Sequence, residues 1–157
     1  MDKKTKKILI LIIGVLLIAT IDQLTKYFAL KNNGSEILNG QIQLEYVKNE
    51  KEFDDIFLTI FYEIISIVII IKFFIKQIEK INKTKIFAII ITLGGGISNV
   101  LDKILFKESI SFIKLTKINL PKFNLAYIWL IIGWIMIVWI LSKDMTKNLK
   151  DINNKVR

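Results

Sequence analysis

Leu93-Gly94-Gly95-Gly96-Ile97-Ser98-Asn99-Val100-Leu101-Asp102-Lys103-Ile104 is the stretch that decides how this chain is read. It closes an apolar segment, Ile86 to Ile104, that otherwise has the length and composition of a membrane span. Three glycines lead into an amide, a carboxylate and an ammonium at positions 99, 102 and 103. On a helix Asn99 lies three residues before Asp102 and four before Lys103, so their side chains crowd one side. Such groups are costly in lipid, face a bundle interior and mark a functional site by default. The glycine run lets another backbone approach closely, as small residues do between membrane helices, and would allow a kink. It is no phosphate-cradling loop, because the Gly-Lys-Ser/Thr ending is absent.

Composition agrees with a membrane setting. The 157 residues are 53% hydrophobic with a mean hydropathy of +0.49. The net charge of +9 comes from lysines at the ends of apolar runs, the pattern of cytoplasmic loops. It forms no basic face and no nucleic-acid motif, so no nucleic-acid partner is expected. The absence of Cys and His excludes disulfides, thiolate nucleophiles and the commonest metal ligands and general base. No metal or cofactor is expected, and any catalysis would rest on carboxylates, hydroxyls or lysine.

Working outward, four apolar runs stand out, at about 8–30, 56–74, 86–104 and 124–141. Ile8 to Leu30 as one helix rises about 35 Å, enough to cross a bilayer. Its basic tip, Lys3 to Lys7, resembles a signal peptide, but no small-x-small cleavage pattern follows and apolar character resumes at Tyr27. It is read as a retained first span carrying Asp22-Gln23-Leu24-Thr25-Lys26, with Asp22 and Lys26 placed to pair four apart. The second run holds Glu63, a carboxylate expected to be neutral or paired. Lys72, Lys76, Lys80, Lys83 and Lys85 follow and place that turn in the cytoplasm. The fold class is therefore all-α membrane: a four-transmembrane-helix bundle, one domain over 1–157, with both termini cytoplasmic. The lipid bilayer is its first partner, and Lys143 to Arg157 reads as an exposed polar tail, partly disordered.

Two outer segments, 31–55 and 105–122, remain. In the first, Asn39-Gly40 is a strong turn signal. Ile42, Leu44 and Tyr46 then alternate with polar residues as in a half-buried strand, with Ile37-Leu38 as a short partner. Asn49 to Asp55 reads as an acidic loop. In the second, Ser109, Ile110, Ser111 and Phe112 alternate briefly before Pro121. A small extracytoplasmic β-structured segment is expected.

Taken in order, these marks resemble signal peptidase II, the lipoprotein signal peptidase, over nearly the whole chain. Asp22 to Lys26 matches the family's Asp-Gln-x-x-Lys. Asn49 resembles the asparagine opening Asn-x-Gly-Ala-Ala-Phe, with Lys51 and Glu52 where glycine and alanine are usual. Gly94 to Lys103 resembles Gly-Gly-Ala-x-Gly-Asn-x-x-Asp-Arg, with Asn99 and Asp102 matching, Ser98 for glycine and Lys103 for arginine. Phe123-Asn124-Leu125-Ala126 matches Phe-Asn-x-Ala-Asp up to its last position. The resemblance implies a bacterial plasma-membrane protein whose partners are prolipoprotein signal peptides or their diacylglyceryl-modified Cys.

The family's catalytic dyad is two aspartates, and residue by residue they fall on Ser111 and Tyr127. An aspartic protease needs one carboxylate ionised to activate water and one protonated to polarise the scissile carbonyl. Serine and tyrosine hydroxyls hold their protons at neutral pH and cannot serve as that base. The resemblance thus implies a catalytically impaired member, with Asp22, Lys26, Asn49, Asn99, Asp102, Lys103, Asn124 and Ala126 as supporting or groove residues. The alternatives are an active peptidase using a rearranged acid pair that includes Asp102 or Glu63, or a membrane interaction or resistance factor.

Overall fold

The apolar segments fold as long helices whose small and polar residues point inward. The computed structural model describes residues 1–50, 53–75, 78–118 and 120–156, excepting the side chains of 47–50, 53–57, 59, 73, 75, 79, 148, 151, 155 and 156. Helix α1 spans Lys3–Lys31, capped by Asp2, whose carboxylate accepts the Thr5 N–H at 2.5 Å. It buries Val15, Ala19, Asp22, Lys26 and Ala29, four and three residues apart. Leu9, Ile12, Ile13, Leu16 and Leu17 are exposed. Small and polar residues inside with branched apolar ones outside is the pattern of a helix packed in lipid.

After α1 comes a hairpin of β1 (Glu36–Ile37) and β2 (Ile42–Glu50). Asn39 and Gly40, at φ 57° and 78°, occupy the middle of a turn closed by the Gln41 N–H on the Leu38 carbonyl at 3.2 Å. Two successive positive φ values match the twist of a hairpin, which is what Asn-Gly signals. Strand β3 (Glu108–Leu115) completes an antiparallel sheet of order β1-β2-β3. The pairing shifts between Leu44↔Ile113 and Val47↔Ser111, a bulge that bends β2. The alternation expected in β3 falls within a strand both of whose faces are buried, at Ser109, Ile110, Ser111 and Phe112. One face packs Phe112 on Ala29 and Leu44. The serine face is buried as well, with Ser109 and Ser111 at 8% and 1% exposure. The outer edge of β3 is closed by Phe112 and Ile113 N–H groups bonding to the Phe123 carbonyl.

Helix α2 spans Phe53–Ile75, so Phe53 to Asp55 begin a helix instead of ending a loop. A 3₁₀ turn at Ile78–Lys80 leads to α3, Lys83–Phe106, capped by Asn82 on the Lys85 N–H at 2.9 Å. The Lys7 ammonium donates to the carbonyls of Ile78 and Ile81 at 3.1 and 2.6 Å, which puts the N-terminal lysines beside the α2–α3 connection. Helix α4 spans Leu125–Val156 without a break. That corrects the expected disordered tail. No Gly or Pro interrupts the stretch after Gly133, and a helix already nucleated by the span propagates one hydrogen bond per residue.

Among the described residues, three helices are long and apolar enough to cross a membrane: α1, α3 and Leu125–Asn154 of α4. Helix α3 is central: 67% of its apolar stretch is buried, against 17% for α1 and 22% for α4. The glycine run makes this possible. A Cβ on Gly94 would sit 2.6 Å from Ile18 of α1, and one on Gly95 would sit 2.7 Å from the Ala126 carbonyl of α4. The glycines therefore serve close approach, and α3 continues through them as one helix. An apolar core that includes Val15, Ile70, Phe74, Ile89, Leu93, Ile137 and Ile140 fills the end near the α2–α3 connection. Toward the sheet the helices bury polar side chains, above which lies the small apolar cluster of Ala29, Leu44 and Phe112.

Candidate functional site

Asn99, Asp102 and Lys103 are all buried, but they do not converge. Each reaches a different helix. Asp102 turns to α1, where its carboxylate lies 2.6 Å from the Lys26 ammonium, and Lys26 also pairs with Asp22 one turn back. The cation between the two aspartates is therefore the protein's own lysine. Gln23 donates to Asp102 Oδ1 at 2.8 Å and to Ser98 Oγ at 2.9 Å, and Ser98 donates to Asp22 Oδ2 at 2.6 Å. The other Asp22 oxygen accepts the Ala126 N–H of α4 at 2.7 Å. Both carboxylates and Ser98 are fully buried, and charges so placed persist only with such partners.

Asn99 faces α4 and β3 through Asn124. The Asn124 amide donates to Asn99 Oδ1 at 3.0 Å and to the Ile110 carbonyl at 2.8 Å. Its own oxygen accepts the Tyr127 N–H at 2.9 Å. Asn124 thus stands as the cap of α4, satisfying a donor of the first turn while tying that turn to α3 and the sheet. The Phe-Asn-x-Ala segment has a structural reason at two of its positions: the Asn124 cap and the Ala126 N–H on Asp22. Asn49 lies on β2 opposite Ser109 of β3. Its side chain, like Lys51 and Glu52, falls outside the described residues.

Lys103 reaches α2, where its ammonium donates to Glu63 Oε1 at 2.5 Å. Glu63, left without a place by sequence reasoning, is thereby fixed beside the polar layer. It also lines a cleft of about 580 Å³ between α2, α3 and α4. Tyr62 and Ile67 stand on one side of this cleft, Thr92 and Gly96 at its floor, and Tyr127, Leu130 and Trp134 on the other side. The walls are apolar and the carboxylate and phenol sit at its sheet end. Ser111 is buried on β3, two residues from Ser109, which is buried too. Just above the layer, Tyr46 of β2 has its phenol pushed up by burial and then by the charges of Asp102 and Glu108.

The family model for Peptidase_A8, signal peptidase (SPase) II, matches residues 14–143. The chain belongs to the signal peptidase II family. Two solved structures, each described as a bacterial membrane enzyme structure determined by the in meso method, share the fold. One is 25% identical with a TM-score of 0.73, covering 87% of this chain and 90% of its own. The other is 26% identical with a TM-score of 0.71, covering 85% and 93%. No match is found among curated proteins. In this signal peptidase II relative, sequence reasoning missed Gln23 and Ser98, which complete the buried network, and the pairing of Glu63 with Lys103. Gln23 stood within a quoted motif and Ser98 at a position marked as unusual, so both had a signal. The Glu63–Lys103 pair had none, because its members lie 40 residues apart on different helices.

Proposed function

We propose that this chain is a catalytically impaired member of the signal peptidase II family that holds the signal helix of a lipid-modified prolipoprotein without cutting it. The observation that carries the reading is the pair of hydroxyl residues, Ser111 and Tyr127, at the positions matching the family's two aspartates. Its support is electrostatic. The carboxylates of this layer, Asp22, Asp102 and Glu63, are each engaged with a lysine ammonium. A general base needs a carboxylate free to take a proton from water, and a second carboxyl sharing that proton to polarise the carbonyl. Hydroxyls supply neither, and losing a positioned base costs about a hundred- to ten-thousand-fold in rate. The apolar cleft ending at Tyr127 and Glu63 suits an apolar helix whose polar boundary meets the sheet.

The same reading makes α2 the fourth membrane crossing of a single domain. The N-terminal lysines, the α2–α3 connection and the start of the α4 extension share one end, through Lys7 on Ile78 and Lys85 on Asp144. The excess of lysine there makes that end cytoplasmic. Asp22, Lys26, Asn49, Asn99, Asp102, Lys103, Asn124 and Ala126 then serve as supports of the groove.

The test is cleavage of a diacylglyceryl-modified prolipoprotein by the purified protein in detergent. The native chain should leave it intact, and Ser111→Asp with Tyr127→Asp should restore cutting. Efficient cleavage by the native chain sinks the proposal. Glu63→Gln and Asp102→Asn would then show whether a rearranged acid pair performs it. Photocrosslinking of the signal helix from position 130 separates a groove still in use from an interaction factor that has abandoned it.

A further inference from the structure

Past Leu141 helix α4 leaves its apolar run and carries Lys143, Asp144, Lys147 and Lys150. Counted at about 100° per residue from Trp139, the lysines at 143, 147 and 150 fall at about 40°, 80° and 20°. They form one basic ridge on the same side of the helix as the tryptophan. Lys143 lies over the Trp139 ring at 4.0 Å. Two adjoining hollows flank the ridge. One, of about 190 Å³, lies between the first turn of α3 and α4 and is lined by Thr84, Lys85, Trp139, Lys143 and Asp144. The other, of about 550 Å³, shares the last three and adds Lys147 and Lys150.

We propose that this ridge binds the phosphodiester headgroup of an anionic membrane lipid. Its depth suits that ligand. At about 1.5 Å per residue, Lys143 and Lys147 stand about 3 and 9 Å beyond Leu141, in the headgroup layer outside the hydrocarbon. Lys150, one turn further, reaches back along its apolar stem, and Trp139 occupies the boundary at which tryptophans collect. The charge suits it as well. Asp144 is already paired with Lys85 at 2.5 Å, and the other acidic position of this stretch, 151, falls at about 120°, off the ridge. Among the described residues Lys143, Lys147 and Lys150 have no carboxylate partner. Ammonium groups gathered between helices at a membrane edge attract lipid phosphates. A free phosphate offers the same oxyanion, but the same side of α4 continues toward the bilayer through Ile135 and Ile132, both exposed. Apolar, then aromatic, then basic is the order in which a lipid presents acyl chain, glycerol and phosphate. The site requires only that α4 crosses the bilayer, and it stands whether or not the cleft holds a signal helix.

The three tryptophans are Trp129, Trp134 and Trp139, so Trp129→Phe with Trp134→Phe leaves Trp139 as the reporter. The full chain is reconstituted in phosphatidylcholine vesicles. A fixed fraction of the lipid is replaced by phosphatidylglycerol or phosphatidylcholine with brominated acyl chains, which quench a neighbouring tryptophan. The relative affinity read from quenching should favour phosphatidylglycerol by about fivefold or more, the effect of roughly one lysine at a membrane surface. Lys143→Gln with Lys147→Gln should abolish that preference without shifting thermal unfolding. Lys3→Gln with Lys4→Gln removes the same charge from the same end of the bundle and should leave it intact. Equal quenching by the two lipids overturns the proposal. So does a preference lowered equally by both pairs of changes, which marks a diffuse surface field, or one abolished by millimolar inorganic phosphate, which marks a site for the free ion.

Discussion

Lys26 and Lys103 sit in the same polar layer, both buried to within 3% of their side-chain surface, and they are held in opposite ways. Lys26 lies between two fully buried aspartates whose remaining oxygens accept from Gln23 and the Ala126 N–H, while Ser98 donates to the Asp22 oxygen that faces Lys26. Lys103 has Glu63, a residue with one-fifth of its side chain exposed to the cleft. Its Oε2 is buried without a hydrogen-bond partner. The first centre is closed: it joins α1, α3 and α4 and leaves no group for a ligand. The second is less closed, joining α3 to α2 at the edge of the cleft. Lysines buried to similar depth thus differ in how completely the carboxylates beside them are enclosed and hydrogen-bonded.

The largest expected effect tests the closed centre. Lys26→Met leaves two aspartates buried side by side without their cation, which should cost about 3–5 kcal/mol, measured as chemical or thermal unfolding in detergent. Next comes the helix approach that closes it. Gly95→Ala drives a methyl to 2.7 Å from the Ala126 carbonyl and should cost about 1–3 kcal/mol. Gly96→Ala meets Ile67 at an ordinary 3.6 Å and should stay within about 0.5 kcal/mol. Glu63→Gln keeps an acceptor for Lys103 at the edge of the cleft and should cost about 1 kcal/mol. If it destabilises as much as Lys26→Met, the distinction between the two lysines is lost.

The smallest effect lies outside the layer, in the sheet. Glu45 is held below its ordinary value of 4.5 by hydrogen bonds from Lys114 and then Lys122. Because the folded state resists protonation, its contribution is present above pH 4.5 and is lost as the pH falls below it. Glu45→Gln should flatten that acid-side dependence in a pH series of melting temperatures and leave neutral stability nearly unchanged.

The sequence by itself determined the helices, the hairpin and the identity of most buried polar residues. Long apolar runs in lipid have few other solutions than a helix, and Asn39-Gly40 dictates its turn through positive φ values. Asp22 with Lys26 was legible because four residues on one helix are neighbours. What only the tertiary structure decided is which groups meet across helices. Periodicity says that Asn99, Asp102 and Lys103 are inside; it cannot say that they part to Asn124, Lys26 and Glu63. That depends on how closely three helices approach α3, which Gly94 and Gly95 permit. The pairing of β3 with β2 bridges some sixty residues, and no local signal encodes a contact so distant. The helical extension of α4 was missed for the converse reason: its polar composition resembles a solvated tail, and its order comes from propagation out of a span already folded.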